Sequence, residues 1–179
     1  MTMNREKEIN REDSREKKDS AFIDHVVSLR RVTKVTKGGK RFSFAAFVIS
    51  GDKQGKVGLG LGKSREVSMA IAKATNRARK RMIEIARRGT TIPYDALGKH
   101  GATKVVVRPA SKGTGNIAGG AVRAIMSAAG IEDVLTKAVG SSNGINVAKA
   151  TMNALAQLRS ADRLAMLRGK TVKELIKGS

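Results

Sequence analysis

The sequence predicts an α+β fold of two modules, a three-stranded antiparallel sheet covered by a helix and then an α/β sandwich. Three observations predict it. Runs rich in Val, Ile and Phe, broken by Gly-rich turns, fill residues 25–61. A helical apolar stripe follows, from Val67 to Ile85. Beyond Pro93, short apolar runs alternate with small-residue stretches of helical spacing.

The elements follow in order. Residues 1–20 carry Arg5, Lys7, Arg11, Arg15, Lys17 and Lys18 against an equal number of acids, with almost no apolar side chains. They cannot bury enough surface to offset their ordering entropy, so a flexible tail is expected, with a charged helix ordered on assembly as the alternative. Residues 25–36 read as a strand, Gly38-Gly39 as a hairpin turn and 41–50 as the returning strand. After a turn at 51–55, residues 56–61 form a third strand. Gly58, Gly60 and Gly62 leave one face of it bare, open to close approach by another backbone. Ser64 reads as an N-cap with Glu66 in the first turn, and the helix is expected to run to Arg88 before Gly89. Val67, Ile71, Ala74, Ala78, Met82 and Ile85 share its apolar face; Lys73, Arg77, Lys80 and Arg81 lie mostly opposite.

The second module opens at Pro93-Tyr94. A strand is expected at 103–108, a Gly-rich stretch at 111–120, a helix at 118–129 and a strand at 133–139. A turn and cap at 141–144 precede a helix over 145–159, and Thr171 with Glu174 forms a capping box near the end. The chain thus divides into a tail (1–20), a β-β-β-α module (21–91), a second α/β module (92–161) and a C-terminal extension with a short helix (162–179).

Composition narrows function. The net charge is +21, and residues 1–20 contribute none of it. Such an excess favours polyanionic partners. With no Trp, one Tyr and four Phe the chain is a poor membrane anchor. No apolar run approaches the roughly 20 residues that span a bilayer, and no signal-type segment opens the chain. Cysteine is absent, which removes disulfides and thiolate metal sites. A cytoplasmic nucleic-acid binder is expected.

No catalytic, metal or cofactor site is expected. His25 and His100 are isolated, and Glu132-Asp133 are the only adjacent acids beyond the tail. Neighbours on a strand point apart and make no general acid/base pair. The stretch 113–120 looks like a phosphate loop, a Gly-rich turn before a helix. Yet Lys112 precedes the glycines, and Ala118 stands where a dinucleotide fingerprint needs glycine. A phosphoryl-transfer enzyme remains the alternative; Lys112 and Arg123 are available to it, with no carboxylate expected close by.

The hairpin from Arg30 to Arg41 carries the strongest binding signal. Arg30, Arg31, Lys34, Lys37, Lys40 and Arg41 crowd a tip of small residues, Gly38 and Gly39. Cations neutralise phosphates, and a glycine tip can lie along a nucleic-acid backbone. A solvated surface hairpin is the bland reading. Phe42 and Phe44 share a strand face that reads as core, so stacking on splayed bases is not expected. The RNA-facing set is Arg30, Arg31, Lys34, Lys37, Gly38, Gly39, Lys40, Arg41, Lys53, Lys56, Lys63 and Arg65, with the Gly-rich third strand and the basic helix face beside it.

Several segments also resemble a known family. Gly39-Lys40-Arg41-Phe42-Ser43-Phe44, residues 51–67, Pro109-Ala110-Ser111-Lys112-Gly113-Thr114-Gly115, residues 118–124 and Gly140-Ser141-Ser142-Asn143 resemble the bacterial ribosomal protein S-five family, with similarity over about 22–176. The resemblance implies a first module like a double-stranded-RNA-binding fold without its first helix, and a second of split β-α-β type. It implies binding to small-subunit ribosomal RNA, contact with ribosomal proteins S-four and S-eight, a place near the messenger RNA entry channel, and influence on decoding accuracy. A loop linked to spectinomycin sensitivity maps onto Arg31, Val32, Thr33, Lys34, Gly39 and Lys40, and an accuracy-linked S-four contact onto Gly115 and Arg123. No membrane and no small-molecule substrate is implied. The long tail departs from the family, as does Gly144, which stands where proline is usual. A free-standing binder of double-stranded RNA is the competing reading.

Overall fold

The structure, a computed structural model, describes residues 22–177. The expectation for the tail at 1–20 lies outside the described residues. The first sheet contains β1 (Ile23–Thr36), β2 (Gly39–Gly51), β3 (Lys56–Ser64) and the short β4 (Ile83–Glu84), antiparallel and in that order. Helix α1 (Val67–Lys80) covers one face. It lies so close because both surfaces are nearly bare: α1 buries Ala70, Ala74 and Ala78. A Cβ at Gly60 would collide with the Ala74 carbonyl oxygen and come within 2.7 Å of the Ala78 nitrogen. The backbone that approaches β3 is therefore the chain's own helix, and the bare face is closed to RNA.

The helix is shorter than expected at both ends. Ser64 closes β3 opposite Phe44 and does not cap. Glu66 holds the N-cap position without a side-chain cap, so no acid lies in the first turn. At the other end Arg77, Arg79 and Lys80 occupy the last turn, where cations suit the helix dipole. Ile83 and Glu84 then pair with Val57 and Lys56, and the Ile85 N–H donates to the Gly55 carbonyl at 2.8 Å. The tail of the apolar stripe finds burial by pairing with β3, which gives the sheet a fourth strand where three were expected.

The second sheet has β5 (Ala96–His100), β6 (Thr103–Pro109), β7 (Asn116–Ile117) and β8 (Val134–Gly140), in the order β5-β6-β8-β7. β7 and β8 are parallel and linked through α2 (Gly120–Ala129), a β-α-β unit whose two strands are direct neighbours. Helix α3 (Gly144–Gln157) packs on the same side as α2, and Asn143 caps it by accepting the Ile145 N–H at 3.1 Å. The other side of the sheet exposes Leu97, Leu135 and Val139. Two short helices end the described chain where one was expected, α4 (Ala161–Arg168) and α5 (Val172–Lys177). The capping box forms: the Glu174 carboxylate accepts the Thr171 N–H at 2.9 Å, and the Thr171 hydroxyl accepts the Glu174 N–H at 3.4 Å.

One apolar core runs through both sheets. Phe47, Ile49 and Val57 of the first sheet join Val105 of the second and Ile125 and Leu155 of the helices α2 and α3 packed on it. On the opposite face of β2, Ala46 and Val48 pack under α1 with Ala70 and Ala74. The end of β2 away from the hairpin tip is thus buried on both faces, which is why residues 45–49 read as an unbroken apolar run. Backbone meets backbone at the junction. The Lys53 N–H donates to the Ala128 carbonyl at 2.9 Å, and Arg87 Nη1 donates to the carbonyls of Lys53 and Gly130 at 3.2 and 3.4 Å. Among the described residues, no helix is long and apolar enough to cross a membrane.

Candidate nucleic-acid interface

The β1–β2 hairpin carries most of the predicted cations. Residues directly opposed across an antiparallel pair share a face, and successive residues alternate. The register puts Lys34 opposite Arg41, and Arg30 in line with Ala45 and Lys63. Arg30, Lys34, Arg41 and Lys63 therefore share one face. The other face carries Arg31, opposite Phe44, and Lys40, opposite Val35. Lys37 and Gly38 form the turn, and Gly39 opens β2 with φ of 125°. A Cβ at Gly38 or Gly39 would meet nothing within 4 Å, so the tip is narrow and open.

The hairpin is thus a finger with cations on both sides. Every member of the predicted RNA-facing set faces solvent: Arg30, Arg31, Lys34, Lys37, Gly38, Gly39, Lys40, Arg41, Lys53, Lys56, Lys63 and Arg65. Among the described residues, the hairpin cations make no ion pair.

The set does not lie together. β2 has 13 residues, so at roughly 3.3 Å per residue it runs about 40 Å from the tip. Lys53 and Lys56 sit beyond its far end; Lys53 is at the junction of the modules with φ of 57°, and Lys56 pairs with β4. Arg65 lies in the bend between β3 and α1.

Phe42 differs from its expected core role. It is 49% exposed, and the Arg31 guanidinium lies 4.8 Å from its ring centroid. At a surface site such a contact stabilises by roughly 0.5–1 kcal/mol and holds the cation in place. Phe44, on the same face, is packed against the core beneath α1. The face changes from core to surface between two alternate positions, a change no local pattern announces.

A second group of cations was only partly legible. Arg77 and Arg81 from the α1 region and Lys149 from α3 line an open cleft of about 490 Å³ whose walls include Leu59, Leu61 and Ile145. Arg77 Nη1 donates to the Leu61 carbonyl at 2.7 Å. Lys149 gives no sequence signal, because only the packing of the two modules brings it near α1.

The Gly-rich loop of the second module is built around a carboxylate that the sequence did not place there. Asp133 is 3% exposed. Its Oδ1 accepts the N–H groups of Gly113 and Gly115, each at 3.0 Å, and its Oδ2 accepts the Thr90 hydroxyl at 2.7 Å. The loop therefore directs its N–H donors to an anion of its own. Among the described residues, no three metal-ligating side chains cluster. Gly115 and Arg123, predicted as one protein-facing surface, are joined through Asn116, whose side-chain amide donates to the Arg123 carbonyl at 3.3 Å.

The Gly115 N–H holds the Asp133 carboxyl below its ordinary value of 3.8, helped by the Thr90 hydroxyl and the N–H groups of Gly113 and Thr114 and opposed by burial. A depressed folded-state value means the ionised form is the one that stabilises. That contribution is complete above the ordinary carboxylate range and is lost as pH falls through the lowered value. Carbon-13 NMR of the Asp133 carboxyl should give a midpoint below 3.8; a midpoint at or above it contradicts this account.

The chain is similar to known proteins over both modules. Residues 22–86 match the family model for the ribosomal protein S5 N-terminal domain, and residues 98–168 match that for its C-terminal domain. Small ribosomal subunit protein uS5 of Lawsonia intracellularis is 55% identical over 158 residues, 88% of this chain and 97% of that protein. The proteins of the same name from Syntrophobacter fumaroxidans and Pseudomonas entomophila are 53% and 48% identical, covering 86% and 89% of this chain and 93% and 96% of their own.

Proposed function

The chain belongs to the ribosomal protein S5 family, and from that premise we propose that it is a structural, non-catalytic component of the cytoplasmic small ribosomal subunit that binds ribosomal RNA through its hairpin. The observation that carries this reading is the uncompensated charge of the finger: cations on both faces of a narrow, glycine-tipped hairpin. Two-sided charge suits insertion between phosphate backbones, since each side can neutralise a different strand. On this reading Arg31, Val32, Thr33, Lys34, Gly39 and Lys40 form the antibiotic-linked segment. The second module meets neighbouring proteins, S-four at Gly115 and Arg123 and S-eight elsewhere. The exposed Leu97, Leu135 and Val139 are of the apolar kind that protein partners cover. A position near the messenger RNA and an effect on decoding accuracy belong to the same proposal.

Arg31→Ala with Lys34→Ala tests the hairpin. The variant should bind its ribosomal RNA site more weakly and lower the slope of log affinity against log salt by roughly 1.4–1.8, the loss of two phosphate contacts. An unchanged slope would count against phosphate contact by these side chains. Sedimentation of a lysate through sucrose addresses the assembly itself. Co-migration with the small subunit through moderate salt supports the proposal, and recovery at the top of the gradient favours the free RNA binder.

A further inference from the structure

The bonds around Asp133 join three segments that are distant in the chain. Thr90 and Thr91 lie in the connector between the two sheets. The Thr90 hydroxyl donates to Asp133 Oδ2, the Thr91 hydroxyl donates to the Asp133 carbonyl at 2.6 Å, and the Thr90 carbonyl accepts the Glu132 and Asp133 N–H groups at 2.9 and 3.2 Å. The Ala110 N–H donates to the Thr91 hydroxyl at 3.2 Å where the Gly-rich loop begins. The Gly115 carbonyl accepts the Val134 N–H at 3.2 Å at the loop's other side. The connector, the loop and the start of β8 are thus fastened at a single buried side chain.

The loop's outer side is free. Gly113 and Gly115 have φ of 90° and 80°, and a Cβ on either would meet nothing within 4 Å. Glycine is needed there for backbone conformation and not for crowding. The inner side commits its N–H groups to Asp133, which leaves the outer side shaped and available.

We propose that Asp133 is the positioning residue of this surface. Its carboxylate sets the conformation of Gly113–Gly115, and through Asn116 it sets the relation of that loop to Arg123 on the first turn of α2. Thr90, on the other carboxylate oxygen, ties the surface to the connector, so a shift between the sheets is felt at the loop. Without the carboxylate, two inward N–H groups lose their acceptor, and the loop must turn them toward water. The functional half of the inference rests on the reading of Gly115 and Arg123 as a protein-facing surface.

The test uses the full chain and small subunits carrying it. In Asp133→Ala, amide exchange at Gly113 and Gly115 should quicken about tenfold or more, the loss of roughly 1.4 kcal/mol of local protection. Asp133→Asn should restore most of it, because a carboxamide oxygen still accepts both N–H groups and its amide can donate to Thr90. If Asp133→Ala does not fold, Thr90→Val carries the test with an expected rise of about threefold or more. Exchange within about twofold of the parent in the variant used overturns the proposal. Missense incorporation by subunits carrying Asp133→Ala should shift in the same direction as with Arg123→Ala and return with Asp133→Asn. A shift with Arg123→Ala alone, the loop amides being released, also overturns it. No shift with either variant, the amides being released, upholds the clamp and defeats the accuracy reading of the surface.

Discussion

Gly60→Val should lift α1 off the first sheet and cost about 3 kcal/mol or more, lowering the unfolding temperature by roughly 6–12 °C for a chain of this size. The atoms facing position 60 are the Ala74 carbonyl oxygen and the Ala78 nitrogen, both helix backbone. No side chain can rotate away to make room. The helix must move as a body, and moving it uncovers Ala46, Val48, Ala70 and Ala74 together. Gly58 and Gly62 meet the same helix at Ala78 and Ala70, so the contact is continuous along β3. Gly38→Val is the control: it adds the same side chain at the exposed tip, where a Cβ meets nothing within 4 Å. Calorimetry should find that control within about 0.5 kcal/mol of the parent. Equal losses for the two variants would mean that the glycine row does not set the distance between helix and sheet.

What the sequence discloses here depends on how local the determining contact is. The β1–β2 hairpin was legible because its strands, turn and charges lie within one run of residues. The alternate glycines of β3 announce a close backbone approach correctly, but not whose backbone. The occupant is the next element of the same chain, where RNA was expected. The end of α1 differs from its expectation because Met82 and Ile85 keep helical spacing while Ile83 and Glu84 pair with Val57 and Lys56, across the whole length of the helix. β5 gives no strand signal: Ala96-Leu97-Gly98-Lys99-His100 lacks β-branched residues, and Gly98 is there because α3 lies against it.

The candidate sites divide the same way. Hairpin cations are exposed where alternation and charge put them. Asp133 reads in sequence as half of an acidic pair, since nothing near it points to Gly113, Gly115 or Thr90. Its side-chain partners lie 18 to 43 residues away. Phe42 and Arg31 form their contact across two strands, and the exposure of Phe42 reflects where α1 stops covering β2.

The junction of the two modules gives the second large effect, at Gly130. This residue ends α2 with φ of 73°, its N–H bonded to the carbonyls of Met126 and Ser127. Any other residue there meets two separate penalties. The left-handed conformation disfavours a Cβ by roughly 1–2 kcal/mol, and the added carbon would collide with the Lys53 carbonyl oxygen. Two other glycines separate these terms. Gly169 ends α4 with φ of 61°, and a Cβ added there would meet nothing within 4 Å, so Gly169→Ala reads the backbone penalty alone. Gly51 has no left-handed φ, yet its Cβ would collide with the Ala128 carbonyl across the same junction, so Gly51→Ala reads the contact. Gly130→Ala should therefore exceed both, with a loss of about 2–5 kcal/mol. It should also split thermal unfolding into two steps, because the Lys53 to Ala128 bond and the Arg87 bridge hold the modules at that point. A single transition no lower than that of Gly169→Ala would show that the junction yields freely, and that the shared core of Phe47, Ile49, Val105 and Ile125 couples the modules without it.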